Sequence, residues 1–314
     1  MAWLTWRQHR LQLLAMGALV AVAGLAALLS SIPIRDGYHQ HALSSCLPPA
    51  ARSGCDLIVS HFKTQFGASG TIVRYLIVVP ALAGLFIGAP LLAREFEHGT
   101  HRLAWTQSVT RRRWLLSKTL LLALATGLAA LALAAISMWW RQPFDSLEGR
   151  MAPSRFDIEG AVVPAYAVFA LAVGVLAGLL MRRTLPAMSV ALGVFVATRL
   201  GVEKLLRPHY LAPLHKVVTA GRPPNASDWV LRNSFIDAVG RNIATGREDI
   251  AIVHAQRARI EPQEYLLSLG WQRVVTFQPE SRFWTFQAIE ALIFLALAAA
   301  AVVASVWLVR RTPA

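Results

Sequence analysis

One polar stretch of the chain, residues 94–114, combines residue types suited to docking against another protein. Gly99 permits a sharp turn, and Thr100 can cap a short helix that follows it. That helix would present Leu103 and Trp105, which suit a protein interface better than contact with water. The pattern favours a partner-docking helix, with a membrane-surface anchor as the alternative. The candidate docking residues are Arg94, Glu95, Glu97, Gly99, Thr100, His101, Arg102, Leu103, Trp105 and Thr106.

Motifs of catalytic and nucleotide-binding sites are missing from the sequence. A phosphate-binding P-loop needs Gly-Lys-Ser/Thr, and none of the four lysines, Lys63, Lys118, Lys204 and Lys216, follows a glycine. HExxH, GxSxG and CxxC patterns do not occur either, and no ligand spacing indicates a metal site. We therefore expect no catalytic residue, metal ion or cofactor on this chain, which is not predicted to be an enzyme.

The composition indicates a membrane protein. Of 314 residues, 55% are hydrophobic and only 15% are charged, and the mean hydropathy is +0.48, whereas soluble domains carry about 25% charged residues. In a soluble protein, the formal net charge of +14 would suggest nucleic acid as a partner. Because the basic residues mostly flank apolar runs, orientation in a bilayer explains them better, and no nucleic-acid partner is expected.

Uncharged intervals in the sequence predict six transmembrane helices. About 20 apolar residues cross the bilayer core, and the backbone of a span must satisfy its own hydrogen bonds in lipid, so each span should be helical. The fold class is an all-α membrane protein, with an N-terminal interfacial helix over residues 1–10. A cleaved signal peptide is the alternative interpretation of the first interval. The spans cover about 11–33, 71–93, 115–139, 160–181, 185–205 and 283–309.

Basic residues in the short connections predict the orientation of the chain. With six spans both termini share one face, and that face carries 12 basic residues, against six in the two modest loops of the opposite face. Both termini, including a tail over residues 310–314, are therefore expected in the cytoplasm. The protein is expected to be a multi-pass protein of the plasma membrane, in contact with membrane lipid.

Two segments should lie outside the cell. The first outer loop contains the only two cysteines, Cys46 and Cys55, which could form a disulfide there or stay free. Residues 206–282 are long enough for a small extracellular subdomain before the sixth span, either a structural cap or a substrate-gathering domain. Its predicted elements are a helix over 229–239 capped by Ser227 or Asp228, a helix over 262–269 and a brief strand over 274–277.

Charges and small residues inside the spans predict helix contacts. A charged residue in a span is costly and usually faces a partner in the bundle. Arg199 and Glu290 lie at similar depth in the fifth and sixth spans, so they could pair; Glu203, four residues further along the same helix, is the alternative partner of Arg199. Such a pair would either hold the two helices together or form an extracellular gate. Glycine pairs at 84 and 88 and at 174 and 178 would let helices approach closely.

Several motifs together resemble the six-span permeases of the "ABC type 2" group of exporters. The first cytoplasmic loop carries the likeness in Arg94–Thr100, in Val109–Arg112 and in Lys118. The opening Thr5–Arg10 and the closing Phe277–Glu290 are similar to actinobacterial members of the group. The likeness extends from the first residues to the sixth span, with a matching span count.

The resemblance implies a complex in which the permease forms the path through the membrane and a separate subunit hydrolyses ATP. Two permease chains, as a homodimer, would associate with two copies of a separate ATPase subunit, which binds ATP and magnesium. The short helix after Gly99 would be the coupling helix, seated in a groove of the ATPase. The second and fifth spans would border the substrate path with Leu82, Phe86, Leu192 and Phe195, an apolar lining suited to a hydrophobic or amphiphilic cargo such as an antibiotic or drug.

Two other classes of function are compatible with a six-span protein. An ion-driven secondary transporter would usually have an acid or histidine near mid-membrane and inverted repeats. A membrane-anchored receptor or scaffold would use the long outer loop as its working part.

Overall fold

The chain folds into two compact units. A computed structural model describes residues 2–41, 43–46, 55–74, 78, 82, 84–99, 110–218 and 227–311. The first unit, called here the membrane unit, comprises Met1–Pro143, Pro153–Arg207 and Trp284–Ala314. The second, called here the sheet unit, comprises Phe144–Ala152 and Pro208–Phe283.

Helices dominate the described residues. The first part of the chain forms α1 (Ala2–Gln40), α2 (Cys55–Arg74), a π-helical turn (Gly84–Gly88) that leads into α3 (Ala89–Glu97), and α4 (Arg111–Glu148). The middle part forms the short α5 (Pro153–Phe156), α6 (Val162–Met181) and α7 (Thr184–Gly201). The last part contains α8 (Thr245–Arg257), α9 (Pro262–Ser268) and α10 (Phe283–Arg311).

Five helical stretches in the described residues are long and apolar enough to cross a membrane. They are His9–Gln40, Arg111–Asp145, Val162–Met181, Thr184–His209 and Glu280–Arg311. The chain is therefore a mostly helical membrane protein, as expected from its composition. The predicted second span, 71–93, lies in part outside the described residues, and its described end consists of the π-helical turn and α3.

The beginning of the chain differs from the prediction. We expected a separate interfacial helix over residues 1–10, but α1 runs without interruption from Ala2 to Gln40. The physical reason is that the first glycine of the chain is Gly17 and the first proline is Pro33. With no helix-breaking residue between the polar start and the apolar run, one helix continues through both.

The sheet unit contains a three-stranded antiparallel sheet. Its strands are β1 (Leu214–Val218), β2 (Trp229–Ile236) and β3 (Gln272–Gln278), in the order β1-β3-β2. The predicted strand over 274–277 lies within β3, and the predicted helix over 262–269 corresponds to α9.

The predicted helix over 229–239 is wrong, because β2 occupies that segment and pairs with β3. Asp228, which we expected to cap the helix, instead accepts a hydrogen bond from the backbone N–H of Glu280 at 3.0 Å. Burial raises the pKa of Asp228 above its usual range. A cap residue followed by apolar residues predicts a helix locally, but pairing with a distant strand decides the outcome here.

Helix α6 lies at the centre of the membrane unit. It is apolar on all sides, and 83% of its most apolar stretch is buried, which is typical of a helix surrounded by others. It packs against the π-helical turn, α3 and α7. Its residues Leu171, Val175 and Leu179 share one apolar cluster with Leu92 of α3 and Leu122 of α4.

The two predicted glycine pairs face each other in this centre. A Cβ placed on Gly84 would lie 2.6 Å from the backbone oxygen of Ala170, and one on Gly174 would lie 2.5 Å from the backbone oxygen of Gly84. Gly88 and Gly178 are equally close to the opposite backbone. The second and fourth spans therefore approach so closely that even one methyl group at these positions would push their backbones apart.

We expect Gly174→Ala to destabilise the membrane unit by about 1–3 kcal/mol, because overpacking a close helix contact forces the backbones to move. Thermal unfolding of the purified protein in detergent measures this change. Gly17→Ala is the matched control, since Gly17 also lies in a membrane helix and a Cβ there meets nothing within 4 Å. Equal stability of the two variants would contradict the close contact.

Candidate functional site

The turn that precedes the predicted docking helix is part of the described structure. Gly99 has a φ of +69°, which favours glycine, and no atom lies within 4 Å of a Cβ placed there. The backbone N–H of Gly99 bonds to the oxygen of Phe96 at 3.3 Å, closing the end of α3. Residues 100–109, which contain the predicted docking helix from Thr100 through Thr106, lie outside the described residues, and their role stays a prediction.

Glu95 and Glu97, both expected to face a partner, make contacts within the membrane unit. Glu95 forms an ion pair with Lys118 at the beginning of the third span. Lys118 is buried, and its ammonium also lies 4.9 Å from the ring centroid of Trp114. This ion pair attaches the end of α3 to the start of α4.

Glu97 binds the first residue of the fifth span. Its carboxylate accepts hydrogen bonds from the Thr184 hydroxyl at 2.5 Å and from the Thr184 backbone N–H at 3.1 Å. The bond from the hydroxyl holds the pKa of Glu97 below its usual range, and the bond from the backbone adds to it. A carboxylate at the N-terminus of α7 also has a favourable interaction with the helix dipole. The end of α3 is therefore attached to α4 and to α7.

Four charged residues and one tyrosine are buried together between the last three spans, and we call them the ion cluster: Asp157, Tyr166, Arg199, Arg207 and Glu290. Arg207 is fully buried and binds both carboxylate oxygens of Glu290, with Nε at 2.8 Å and Nη2 at 2.6 Å. The same Nη2 lies 2.6 Å from Asp157, and the Tyr166 hydroxyl donates to Glu290 at 2.5 Å. Arg199 pairs with the other oxygen of Asp157.

The ion cluster is electrically balanced. Its two arginines face two carboxylates, so the formal charges cancel, as is needed where a lone charge would be very costly. Aromatic rings cover the guanidinium groups: Arg199 lies 4.4 Å from the ring centroid of Tyr166, and Arg207 lies 4.4 Å from that of Phe156. Paired, balanced and covered charges are typical of a network that holds helices together.

The structure confirms ion pairs between Arg199 and both predicted partners, and it adds a third, closer partner. Its predicted partners Glu290 and Glu203 lie 3.8 Å and 3.6 Å away, but Asp157 is closer. Glu290 is bound chiefly by Arg207, which the sequence did not single out. Asp157 and Arg207 were missed because both lie beyond the ends of the uncharged intervals.

A local change of helix type brings Arg199 and Arg207 to the same acid. Residues eight apart point about 80° away from each other in a continuous α-helix. Between the two arginines, Val202–Leu206 forms a π-helical turn, which holds more residues per turn and reduces this angle. Such turns are frequent at functional sites, and no sequence signal distinguishes this one.

The predicted path residues do not form one continuous lining in the described structure. Leu82 and Phe86 border an apolar cavity of about 290 Å³ between the first three spans. Phe195 is buried and its ring lies 6.2 Å from that of Phe169, so it is a packing residue in this conformation. Leu192 is partly exposed on α7.

The loop that contains the two cysteines is closed by a covalent bond. Cys46 and Cys55 form a disulfide with their Cα atoms 5.5 Å apart, which joins the end of a short 3₁₀ helix (Leu43–Cys46) to the start of α2. Such a bond restricts the unfolded chain and so stabilises the loop.

We expect Arg207→Met and Glu290→Gln each to lower the free energy of unfolding by about 3–5 kcal/mol, because either change leaves a buried charge without its partner. The double variant should lose less than the two single losses combined. Chemical unfolding in detergent measures all three. Glu203→Gln is the control and should have little effect, because Glu203 is partly exposed. If the loss in the double variant equals the sum of the two single losses, the pairing of Arg207 with Glu290 is contradicted.

Comparison with known proteins gives one finding. A family model described as "ABC-2 membrane transporter related" matches residues 16–207, more than half of the chain. The match begins in α1, includes the loop between the second and third spans, and ends at Arg207 of the ion cluster. No curated protein and no solved structure matches the chain.

Proposed function

The chain belongs to the ABC-2 membrane transporter related family, and we propose that it is the transmembrane permease subunit of an ATP-binding-cassette exporter. Family membership makes it a multi-pass membrane permease that works with a separate ATPase subunit. The proposal adds that the cargo is a hydrophobic or amphiphilic small molecule, such as an antibiotic or drug, moved outward across the plasma membrane. The observation that carries the proposal is that the family match includes the loop of residues 94–114.

The orientation of the chain is part of the proposal. The short connections on the face that carries both termini hold more basic residues than the two modest loops of the opposite face, and this supports cytoplasmic termini. The long loop before the sixth span holds eleven more basic residues but is left out of the count, because long loops cross the membrane largely regardless of charge. The loop of residues 94–114 then lies on the cytoplasmic side, where an ATPase subunit can reach it. ATP and magnesium bind to that subunit, not to the permease.

The contacts of α3 support a path for motion from the loop into the spans. Glu95 binds the start of the third span through Lys118, and Glu97 binds the start of the fifth span through Thr184. When the ATPase subunits move the loop, these contacts would carry the movement to two spans at once.

Two permease chains and two ATPase subunits form the proposed complex. One apolar face of α7 supports an assembly with a second permease chain, since Leu185, Leu192 and Leu200 are exposed there and Gly193 beside them has open space. Small residues allow close contact between helices in a membrane.

The ion cluster favours this function over that of a secondary transporter. An ion-coupled site needs charged groups that exchange with the transported ion. In the ion cluster, the carboxylates of Asp157 and Glu290 are instead bound by arginines. This arrangement supports a structural role for the buried charges.

We expect Trp105→Glu to weaken binding of the ATPase subunit by about 30-fold or more, because a buried tryptophan at an interface contributes about 2 kcal/mol or more. Co-purification and titration of the ATPase against the permease in nanodiscs measure the loss. Trp307→Glu is the control, because Trp307 is a half-exposed tryptophan of the sixth span. If ATPase affinity is the same for the Trp105 variant and the wild type, the proposed docking is wrong.

We expect Thr184→Val to leave ATPase binding intact but to lower transport per ATP hydrolysed by about fivefold, which is the scale of a modest coupling energy. The variant removes the hydroxyl that binds Glu97. Ser189→Ala, which removes a hydroxyl bonded only within α7 among the described residues, serves as the control. Unchanged transport per ATP in the Thr184 variant would show that this contact carries no movement.

A further inference from the structure

The cavity between the first three spans has a buried floor and an open apolar mouth. Thr126, Ala130 and Leu133 of α4 line the floor and are nearly inaccessible to solvent. Leu19 and Phe86 lie at the mouth, and Phe86 is 59% exposed. The described residues that line the cavity all belong to the membrane unit, and those at its mouth are apolar.

One end of the cavity is polar and the other is apolar. Helices α1 and α4 run in the same direction, because Met16 contacts Thr126 at 3.8 Å and Ser30 contacts Trp140 at 2.9 Å. Gln12 is one turn before Met16, so Gln12 and Thr126 lie toward the N-terminal ends of both helices. From Thr126 the floor continues for seven residues, about 10 Å, with apolar side chains only, as far as Leu133.

The two polar lining residues at this end, Gln12 and Thr126, are uncharged and can form hydrogen bonds. The side-chain oxygen of Gln12 bonds to the His9 ring at 2.6 Å, and this leaves the amide NH₂ as a donor. The Thr126 hydroxyl has the Met16 sulfur as a neighbour, which is a weak acceptor. The nearby charges that act on His9 are those of Lys118 and Glu95, and they pair with each other. A charged head group at this end would therefore have no opposite charge of its own, and a buried charge without one is costly.

We propose that this cavity binds one amphiphile with a hydrocarbon chain and an uncharged, hydrogen-bonding head group, taken from the cytoplasmic leaflet. The inference rests on the proposed function for its orientation: with cytoplasmic termini, the polar end faces the cytoplasm, and an amphiphile of the inner leaflet has the same direction. The volume of about 290 Å³ is at the lower limit of small-molecule pockets and fits a single chain. The site would give the exporter its selectivity for neutral amphiphiles.

Photolabelling of the purified permease in nanodiscs tests the proposal without any ATPase. The probe is a ten-carbon alkyl amide that carries a diazirine on its chain, and mass spectrometry locates the labelled residues. We expect labelling of cavity residues such as Phe86 and Leu133, competed by unlabelled decanamide. Decanoate, which is ionised at pH 8, should compete about tenfold or more less well.

Two pairs of variants make the test specific. Ala130→Phe fills the floor and should remove the labelling, whereas Leu128→Phe, on an exposed position of the same helix, should leave it unchanged. Thr126→Val keeps the shape of the side chain but removes its hydroxyl. It should weaken competition by decanamide severalfold, which is the effect of one lost hydrogen bond. Competition by decane, which forms no hydrogen bond, should not change. If Ala130→Phe does not fold, competition measured on the wild type and on Thr126→Val still tests whether the cavity prefers an uncharged, hydrogen-bonding head group.

Three results would overturn the site: labelling that Ala130→Phe leaves intact, equal competition by decanoate and decanamide, or equal labelling of the exposed positions Leu124 and Leu128. A failure of this kind leaves the exporter function standing, because binding is measured without transport. Conversely, a permease that binds no ATPase but is labelled in the cavity would overturn the proposed function and keep the site.

Discussion

The buried ion pair between Arg207 and Glu290 is the interaction on which the membrane unit depends most. A charge in hydrocarbon must have a partner, because no water is present to replace it. This pair, extended by Asp157 and Arg199, joins the fifth and sixth spans to the segment that enters the fourth. The glycine contact joins the second span to the fourth on the other side. Helix α6 is therefore the common element to which three other spans are attached.

This arrangement determines how a movement of the loop of residues 94–114 would be transmitted to the helices. The end of α3 is attached to the starts of α4 and α7, and α7 is fixed to α6 and α10 through the ion cluster. Movement of the loop would therefore displace connected helices as a group. The cavity between the first three spans has one wall, Phe86, in the π-helical turn that directly precedes α3. Displacement of α3 would thus change the shape of the cavity. In this way, movement of the ATPase subunits would alter the proposed binding site.

Much of the fold is predictable from the sequence because the bilayer imposes a simple rule on it. Long uncharged runs must be helices in lipid, and the described residues have membrane-length helices at five of the six predicted places. The parts that could not be predicted depend on distant contacts. Arg207 meets Arg199 at the same acid only because of a π-helical turn, and Asp157 lies outside any span. In the sheet unit, Asp228 binds a remote backbone N–H and the segment after it joins a sheet, which local propensity does not reveal. The glycine pairs were visible in the sequence, but their contact with each other was not.

The central claim is that residues 94–114 face the cytoplasm and are held there by an ATPase subunit. Labelling of a Thr106→Cys variant by a membrane-impermeant maleimide tests it directly, because the two native cysteines are joined in a disulfide. The account predicts labelling in inside-out vesicles, none in right-side-out vesicles, and protection when the ATPase is present. Labelling from the outer side, or no protection by the ATPase, would contradict it.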